Sequence, residues 1–154
     1  MDVVDKKILN ILQANAALPL SELSRRIGIS KTPCWNRIRK LEELGVINHR
    51  VTLLDRHKLG LPIVVFLSIS VSRHSEKWVT HFTQIISKYK QIIEVHRLTG
   101  SSADYVLKVV ASSIEDYDEF QQILISEVEF TSMSSSVSLQ EMKYTVSLPL
   151  YHLN

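Results

Sequence analysis

The chain has 154 residues, of which 45% are hydrophobic and 22% are charged, a balance typical of a soluble globular protein with one or two small domains. The single cysteine excludes an internal disulfide, and four glycines and four prolines exclude collagen-like and low-complexity classes. No segment reaches the roughly 18 apolar residues of a membrane span. Acidic residues occupy the first positions, where a secretory signal would carry only basic ones. We therefore expect a cytoplasmic protein with no membrane partner.

The net charge of +2 hides an uneven distribution. Residues 1–60 contain 11 basic and 6 acidic residues, a net charge of +5, whereas residues 61–154 contain 7 and 10, a net charge of −3. Within the first part, the stretch 23–41 carries six basic residues and no acidic one. A basic unit followed by a mildly acidic one suggests that only the first meets a polyanion, although a solvated charged face would give the same count.

Three helices are predicted in the first fifty residues. Asp2 and Asp5 can cap a first helix that runs to about residue 15, because apolar residues recur there with helical spacing. A short second helix starts near residue 20 and ends at Gly28, since glycine adopts the left-handed conformation with little strain. Ser30 is then a strong N-cap candidate for a third helix. The apolar side of this third helix carries Cys34, Ile38 and Leu41.

The order of helix, short helix, glycine turn and helix is that of a helix-turn-helix, whose last helix would lie in the major groove. There Asn36 could pair with adenine, and Lys31 or Arg39 with guanine. The candidate DNA contacts, phosphate-binding residues included, are Arg25, Arg26, Ser30, Lys31, Thr32, Pro33, Asn36, Arg37, Arg39 and Lys40. A three-helix protein-binding module has the same hydrophobic pattern and remains the alternative.

The run 27–47, IGISKTPCWNRIRKLEELGVI, resembles the DNA-binding signature of the Lrp/AsnC family, the leucine-responsive or feast/famine transcriptional regulators of bacteria and archaea. The opening helix is similar to the family's first helix, and the tetrapeptide TPCW points to the branch nearest the leucine-responsive protein. The resemblance implies a winged-type helix-turn-helix domain at 1–50. Alternating residues after it predict a linker strand at 51–60.

Residues 61–154 alternate between strand and helix patterns. The predicted strands cover 63–71, 92–98, 104–111 and 131–147. Helical stripes begin at Trp78 and after Ser113, where Ser113 and Asp116 resemble a capping box. This order, βαβ twice, describes a ferredoxin-like split βαβ sheet, so the predicted fold class is α+β. One face of the sheet would remain partly apolar, which predicts oligomerisation through that face.

The same order is similar to the amino-acid-sensing domain of the Lrp/AsnC family, a likeness carried by the segments 98–109 and 136–150. The resemblance implies dimers that form through the sheets and assemble into octamers, with an amino-acid effector in a crevice between dimers. The implied effector contacts are Thr99, Gly100, Ser101, Ser102, Ala103, Asp104 and Tyr105. Backbone N–H groups would bind the effector carboxylate, and an acid or a carbonyl its ammonium. A glycine turn with a capping aspartate and no ligand is the alternative.

Two departures from the family pattern concern this sensing domain. Three residues rather than two separate Gly100 from Asp104, so the loop is longer. Ser126-Glu127-Val128 stands where the family usually has Pro-Gly-Val. The family resemblance therefore does not identify the effector of this chain, and a protein that has lost its response to an effector is the alternative.

No other chemistry is indicated by the sequence. The six histidines lack metal-ligand spacing, no Gly-rich phosphate loop follows a strand, and no nucleophile motif is present. Cys34 is expected to pack inward rather than to serve redox chemistry. Trp35 is expected to pack rather than to contact DNA. We therefore expect no metal and no cofactor besides the amino-acid effector.

The patterns and the family resemblance together predict a sequence-specific transcriptional regulator that binds double-stranded DNA. The resemblance further implies a homodimer that assembles into octamers on the nucleoid, under control of a small amino-acid ligand. An architectural DNA-binding protein without effector response is the first alternative. A small-molecule enzyme on a ferredoxin-like sheet is the second, and the missing acid–base constellation argues against it.

Overall fold

The chain divides into two units, one built from helices and one from a sheet. A computed structural model describes residues 1–100 and 102–153. The helical unit comprises Met1–Leu53 with the described part of Lys143–Asn154, and the sheet unit comprises Leu54–Met142. No helix within these described ranges is long and apolar enough to cross a membrane.

The helical unit contains α1 (Val3–Ala14), α2 (Leu20–Ile27) and α3 (Lys31–Glu43). α1 begins with the predicted capping, because the Asp2 carboxylate accepts a hydrogen bond from the Asp5 backbone N–H and the Asp5 carboxylate accepts one from that of Asp2. The three helices enclose a core of six buried side chains, which are Ile8, Leu23, Ile27, Cys34, Ile38 and Leu41. Cys34 faces inward as predicted, and burial raises the pKa of its thiol.

The C-terminal tail of the chain lies against α1. The Gln13 amide nitrogen donates to the Leu148 carbonyl at 3.0 Å, and the Gln13 amide oxygen accepts from the Leu148 N–H at 2.9 Å. The Lys6 ammonium donates to the Leu153 carbonyl. These contacts group the tail with the helical unit, whereas the sequence-based division assigned all of 61–154 to the second domain.

The sheet unit contains four strands and two helices. In chain order they are β1 (Ile63–Ser70), α4 (Glu76–Lys88), β2 (Ile92–Arg97), β3 (Tyr105–Ala111), α5 (Ile114–Glu127) and β4 (Ser132–Val137). The strands lie in the order β2-β3-β1-β4, and every neighbouring pair is antiparallel. This is the split βαβ arrangement, so the predicted fold class is confirmed.

Alternate residues of β1 separate the two faces of the sheet. Val65, Leu67 and Ile69 are fully buried in a core that they share with side chains of α4 and α5. Phe66 lies between them on the opposite face and is 42% exposed. Its partner in the neighbouring strand β3 is Lys108. One face is thus covered by helices and the other is open and partly apolar, as predicted.

The start of α5 differs in detail from the predicted capping box. The Ser113 hydroxyl accepts a hydrogen bond from the Asp116 N–H at 3.1 Å, as expected. The Asp116 carboxylate, however, accepts from the backbone N–H of Ser112 at 2.8 Å and from its hydroxyl at 2.9 Å. These two bonds lower the pKa of Asp116. The reciprocal half of the box therefore reaches one residue further back than the motif predicts.

Residues 51–60 contain no strand, so the prediction of a linker strand there is wrong. The Asp55 carboxylate accepts from the backbone N–H groups of His57 and Lys58 at 3.0 and 3.4 Å, which bends the chain into turns. Gly60 follows with a φ of +74°. Alternating residues form β structure only when a neighbouring strand satisfies their backbone groups, and no strand in the described part of the chain pairs with these residues.

β4 ends at Val137, well before the predicted end of the closing strand at Ser147. Its partner sets this limit, because Val137 lies opposite Val65, close to the start of β1 at Ile63. A strand gains little from continuing past the end of its neighbour, since its backbone groups then lose their ladder partners.

Candidate DNA-binding face and effector turn

The turn between α2 and α3 is built around Gly28. Gly28 has a left-handed φ of +85°, and its backbone N–H and that of Ile29 both donate to the Ser24 carbonyl, at 3.0 and 3.1 Å. Ser30 occupies the predicted N-cap position of α3, but its hydroxyl makes no capping hydrogen bond. The predicted helix-turn-helix is therefore present, with the glycine rather than the serine hydroxyl fixing the turn.

The outer face of α3 is polar, basic and open to solvent. The exposed residues among the predicted contacts of this segment are Ser30, Lys31, Thr32, Pro33, Asn36, Arg39 and Lys40. No acidic side chain lies between Ser30 and Lys40 in the sequence. The buried stripe of α3 faces the core of the helical unit, so the helix can present this opposite face to a wide groove.

Arg37 points in a different direction from the rest of the predicted contacts. Its Nη1 atom lies 2.6 Å from the carboxylate of Asp2, the N-cap of α1, and 2.7 Å from that of Asp5 in the first turn of α1. The pKa of Asp2 is lowered first by its hydrogen bond from the Asp5 backbone and then by Arg37. Arg37 therefore links α3 to the N-terminal end of α1.

Arg25 and Arg26 share one carboxylate. Arg25 Nη2 and Arg26 Nε each lie 2.7 Å from Oε1 of Glu22, one turn earlier on α2. These hydrogen bonds, from Arg25 first and then Arg26, lower the pKa of Glu22 to about 2. Both guanidinium groups are more than half exposed, and each has further N–H donors to offer a phosphate.

Trp35 was expected to pack, yet it is 47% exposed. One step along a helix turns a side chain by roughly 100°, which takes Trp35 away from the inward direction of Cys34. The ring joins the basic face of α3 instead of the core. Sequence reasoning omitted it from the candidate DNA contacts, although its position beside Asn36 was a usable signal.

The turn between β2 and β3 holds the predicted effector contacts. Thr99, Gly100 and Ser102 are exposed, Ala103 and Asp104 are half-buried, and Tyr105 is buried. Ser101 lies outside the described residues. Gly100 has a left-handed φ of +72°, which the turn requires.

Asp104 fastens this turn to the end of β1. Its Oδ2 atom accepts a hydrogen bond from the Val71 N–H at 2.8 Å, and its backbone N–H donates to the Ile69 carbonyl at 2.9 Å. The Ser70 hydroxyl donates to the Ser102 carbonyl at 3.0 Å. The other carboxylate oxygen, Oδ1, lies 3.6 Å from Nε2 of His74. The capping role weighed for Asp104 is thus present, and one oxygen still faces His74.

Tyr105 lies in an aromatic cluster beside the turn. Its ring centroid is 5.2 Å from that of Phe82, 5.6 Å from Trp78 and 5.7 Å from His74. Tyr105 is 7% exposed. Its ring therefore packs against this cluster beneath the turn and is not exposed to solvent.

An open cleft of about 1050 Å³ lies where the end of β1 and the start of α4 meet residues 125–133. Its polar lining includes Arg73, Lys77 and His81 as well as the acidic residues Glu127 and Glu129. The sequence did not predict this cleft, because its two walls are about fifty residues apart in the chain. The only sequence signal was the departure from the family pattern at Ser126-Glu127-Val128.

Glu127 holds one wall of the cleft in place. Lys88 Nζ lies 2.6 Å from Oε1 of Glu127 and lowers the pKa of that carboxyl. His81 Nε2 donates to the Glu127 carbonyl at 2.7 Å, and Trp78 Nε1 donates to the Glu129 carbonyl at 3.0 Å. Side chains of α4 thus fix the chain where the family usually has Pro-Gly-Val. No group of three or more His, Cys, Asp or Glu side chains in the described ranges is placed to hold a metal ion.

Two family models match the chain. The Lrp/AsnC ligand binding domain matches residues 64–148, and a winged helix-turn-helix DNA-binding model matches residues 1–48. The two matches agree with the helix-turn-helix of the first unit and the sheet of the second.

Characterised relatives match over nearly the full length. The glutamate uptake regulatory protein of Zymomonas mobilis is 44% identical over 150 residues, which cover 97% of this chain and 91% of that protein. The DNA-binding transcriptional activator DecR of Escherichia coli is 32% identical over 151 residues, which cover 97% of this chain and 99% of that protein.

Solved structures agree with the fold of the whole chain. An AsnC family transcriptional regulator from Agrobacterium tumefaciens superposes with a TM-score of 0.95 at 40% identity and covers 100% of both chains. A transcriptional regulator from Neisseria meningitidis, solved as a complex with L-methionine, gives 0.94 at 32% identity and covers 100% of this chain and 99% of that one. The protein is a DNA-binding transcriptional regulator with an effector-binding domain, not an enzyme, and it belongs to the Lrp/AsnC family.

Proposed function

We propose that the outer face of α3 reads operator sequence in the major groove of double-stranded DNA. The observation that carries this proposal is the exposed stretch from Lys31 to Lys40, which is basic and free of acidic residues. Asn36 and Arg39 are suited to base edges. Arg25 and Arg26 lie on the preceding helix and are suited to phosphates, which position the protein without specifying sequence.

Selection of bound sequences from a random duplex pool tests base readout. Replacing Asn36 or Arg39 with alanine should weaken binding to the selected site by about 1–3 kcal/mol, roughly 5- to 150-fold. Lys7→Ala removes an exposed basic residue of α1 and should lower affinity for selected and random DNA equally. Unchanged discrimination in Asn36→Ala and Arg39→Ala would remove these residues from base readout.

Arg37, although it was among the predicted contacts, is better suited to a structural role. Its two carboxylate partners on α1 lie within 2.7 Å and leave it fewer donors for DNA. We therefore assign Arg37 to the positioning of α3 against α1 and the remaining predicted residues to direct contact.

We further propose that an amino acid binds at the turn that contains residues 99–105 and modulates DNA binding. Backbone N–H groups around Gly100 would bind its carboxylate, and the Oδ1 atom of Asp104 would accept from its ammonium. The neighbouring cleft, with both basic and acidic side chains, could hold the side chain of the effector. The regulator from Neisseria meningitidis, solved with L-methionine, supports this class of ligand.

A thermal-shift screen of the twenty amino acids tests this effector site. Glutamate and methionine come first, because one relative is named for glutamate uptake and a neighbour contains L-methionine. Asp104→Asn keeps an acceptor for Val71 but removes the charge, so it should weaken ligand binding more than tenfold without opening the turn. No shift with any amino acid would favour the architectural DNA-binding alternative.

Two glycines provide a matched control for the effector turn. Gly100 and Gly60 have φ values of +72° and +74°, and a Cβ atom on either would meet no other atom within 4 Å. Alanine therefore introduces similar strain at both positions. Gly100→Ala should abolish the ligand-induced thermal shift, whereas Gly60→Ala should retain it. If both variants respond normally, the effector binds elsewhere.

We also propose that two copies pair through the open face of the sheet and that dimers assemble into octamers in the cytoplasm, on the nucleoid. Phe66, 42% exposed on that face, supports this assembly because a large apolar side chain gains from burial between two copies. Light scattering should give the mass of an octamer for the parent chain and of a monomer for Phe66→Glu. A monomeric parent would contradict the assembly.

A further inference from the structure

The arginines of α2 and α3 differ in how they are held. Arg25, Arg26 and Arg37 each have a carboxylate oxygen within 2.7 Å. Arg39 has only a loose contact with Glu43, at 3.5 Å, and its guanidinium carbon lies 6.0 Å from the centroid of the Trp35 ring. The Trp35 ring is therefore, after Glu43, the second group beside the Arg39 guanidinium on the helix surface.

A ring and a carboxylate orient a guanidinium group in different ways. A carboxylate accepts hydrogen bonds from the guanidinium N–H groups and neutralises their charge, so the arginine has fewer donors left for a further partner. An aromatic face attracts the cation through its quadrupole and leaves the N–H donors at the edge of the guanidinium plane available. Apart from the long hydrogen bond from Nη2 to Glu43, Arg39 thus keeps its N–H donors available while its side chain is restrained.

Trp35 gains no core packing that would explain its position. It is 47% exposed, whereas its neighbour Cys34 is fully buried. The spacing of four residues places Trp35 and Arg39 on adjacent turns of the same helix face. Asn36, the other residue proposed for base readout, follows Trp35 directly in the sequence.

We propose that Trp35 is a positioning residue, which holds the Arg39 guanidinium ready for a two-point contact with O6 and N7 of a guanine in the major groove. This inference depends on the proposed reading of DNA by α3. Restraining the long arginine side chain before binding reduces the conformational entropy lost in the complex. The ring also lies at the DNA-facing surface, where it excludes water from that contact.

A double-mutant cycle on the full-length protein tests this role. Affinity is measured for four proteins, which are the parent, W35L, R39A and the double variant. Each is measured on the selected duplex and on a second duplex in which 7-deazaguanine replaces the contacted guanine and so removes its N7. W35L keeps apolar bulk but has no ring, so it should lower affinity for the selected duplex roughly three- to tenfold. It should have no further effect in the R39A background, and a smaller effect on the 7-deazaguanine duplex, where only the contact with O6 remains. W35F, which retains a ring, should recover most of the loss.

Leu44→Ala is the matched control, because Leu44 is an exposed apolar residue at the end of α3, 66% exposed and away from Arg39. It should bind like the parent. Additive losses from W35L and R39A, or no loss from W35L, would overturn the positioning role even when the parent selects a sequence. Failure of the parent to select any sequence would instead overturn the reading of DNA by α3.

Discussion

The helical unit and the sheet unit use their carboxylates differently. In the helical unit, Asp2 and Asp5 hold Arg37, and Glu22 holds the two arginines of α2. In the sheet unit, Asp104 and Asp116 accept hydrogen bonds from backbone N–H groups and fasten loops. The first arrangement orients cations on a surface suited to a polyanion. The second fixes a turn and a helix start beside the candidate effector site.

This difference predicts which unit responds to ionic strength. Ion pairs between exposed side chains are screened by salt, whereas hydrogen bonds from backbone N–H groups depend on it much less. The arginine ion pairs of the helical unit should therefore weaken with salt, whereas the loops that Asp104 and Asp116 fasten should respond much less. Ion pairs of the sheet unit such as Lys88–Glu127 are screened like the arginine pairs. Four experiments test this contrast, from the largest expected effect to the smallest.

The packing of the sheet unit is tested by two neighbours on α5. Leu124 is fully buried, whereas Ile125 is 45% exposed. Leu124→Ala should lower the free energy of unfolding by about 2–5 kcal/mol because it leaves a cavity, and Ile125→Ala should lower it by less than about 1 kcal/mol. Urea denaturation followed by Trp78 fluorescence, with Trp35 replaced by Phe, measures this loss within the sheet unit. Equal losses would show that α5 does not pack as described.

The start of α5 tests the stability supplied by a cap. Ser113→Ala removes the hydroxyl that accepts from the Asp116 N–H and should lower the free energy of unfolding by about 1 kcal/mol. The loss should be the same at low and high salt, since a neutral hydroxyl makes the bond. A strong salt dependence of the loss would contradict the contrast between the units.

The salt dependence of DNA binding tests the arginines of the helical unit. Arg25→Ala should reduce the slope of log affinity against log salt by about 1, because one phosphate contact is lost. Glu22→Gln should raise affinity for random DNA, since it frees two guanidinium groups from a charged partner. Arg37→Ala should leave the slope unchanged. A smaller slope in Arg37→Ala would place that residue on DNA after all.

Acid should weaken the link between α1 and α3. The pKa of Asp2 is lowered in the folded state from 3.8, so its contribution to stability is complete above that value and is lost as pH falls through the folded pKa. Asp2→Asn should therefore melt at a lower temperature than the parent at neutral pH, and the difference should shrink in acid. High salt should shrink it as well. A difference that grew in acid would contradict the lowered pKa.

Local patterns predicted most of the elements. The apolar spacing of Ile8, Cys34 and Ile38 places them in the helical core, and alternation in β1 separates Leu67 from Phe66. These features depend on residues close in sequence, whose spacing matches a helix or strand. The resemblance to the family added the order of the units and the role of each, which periodicity alone left open.

The failures of prediction concern contacts between residues distant in sequence. The carboxylate partners of Arg37 were not predicted, because Asp2 and Asp5 lie more than thirty residues earlier in the sequence. The end of β4 depends on the length of β1, and the turns at Asp55 on the absence of a neighbouring strand. The cleft likewise combines two distant segments. No periodic pattern in one segment carries information about such partners.

The pairing of Gln13 with Leu148 has a practical consequence for dissecting the molecule. The polypeptide passes between the units twice, near residue 53 and again near residue 142. A protease that cuts only near residue 53 would divide the chain into 1–53 and 54–154, and the first piece would then keep the tail of the second only through non-covalent contacts such as that of Gln13 with Leu148. A recombinant fragment that stopped at residue 53 would deprive Gln13 of its backbone partner. To keep these contacts, an isolated helical unit would need residues 143–153, added as a second peptide or joined to residue 53 through a short linker.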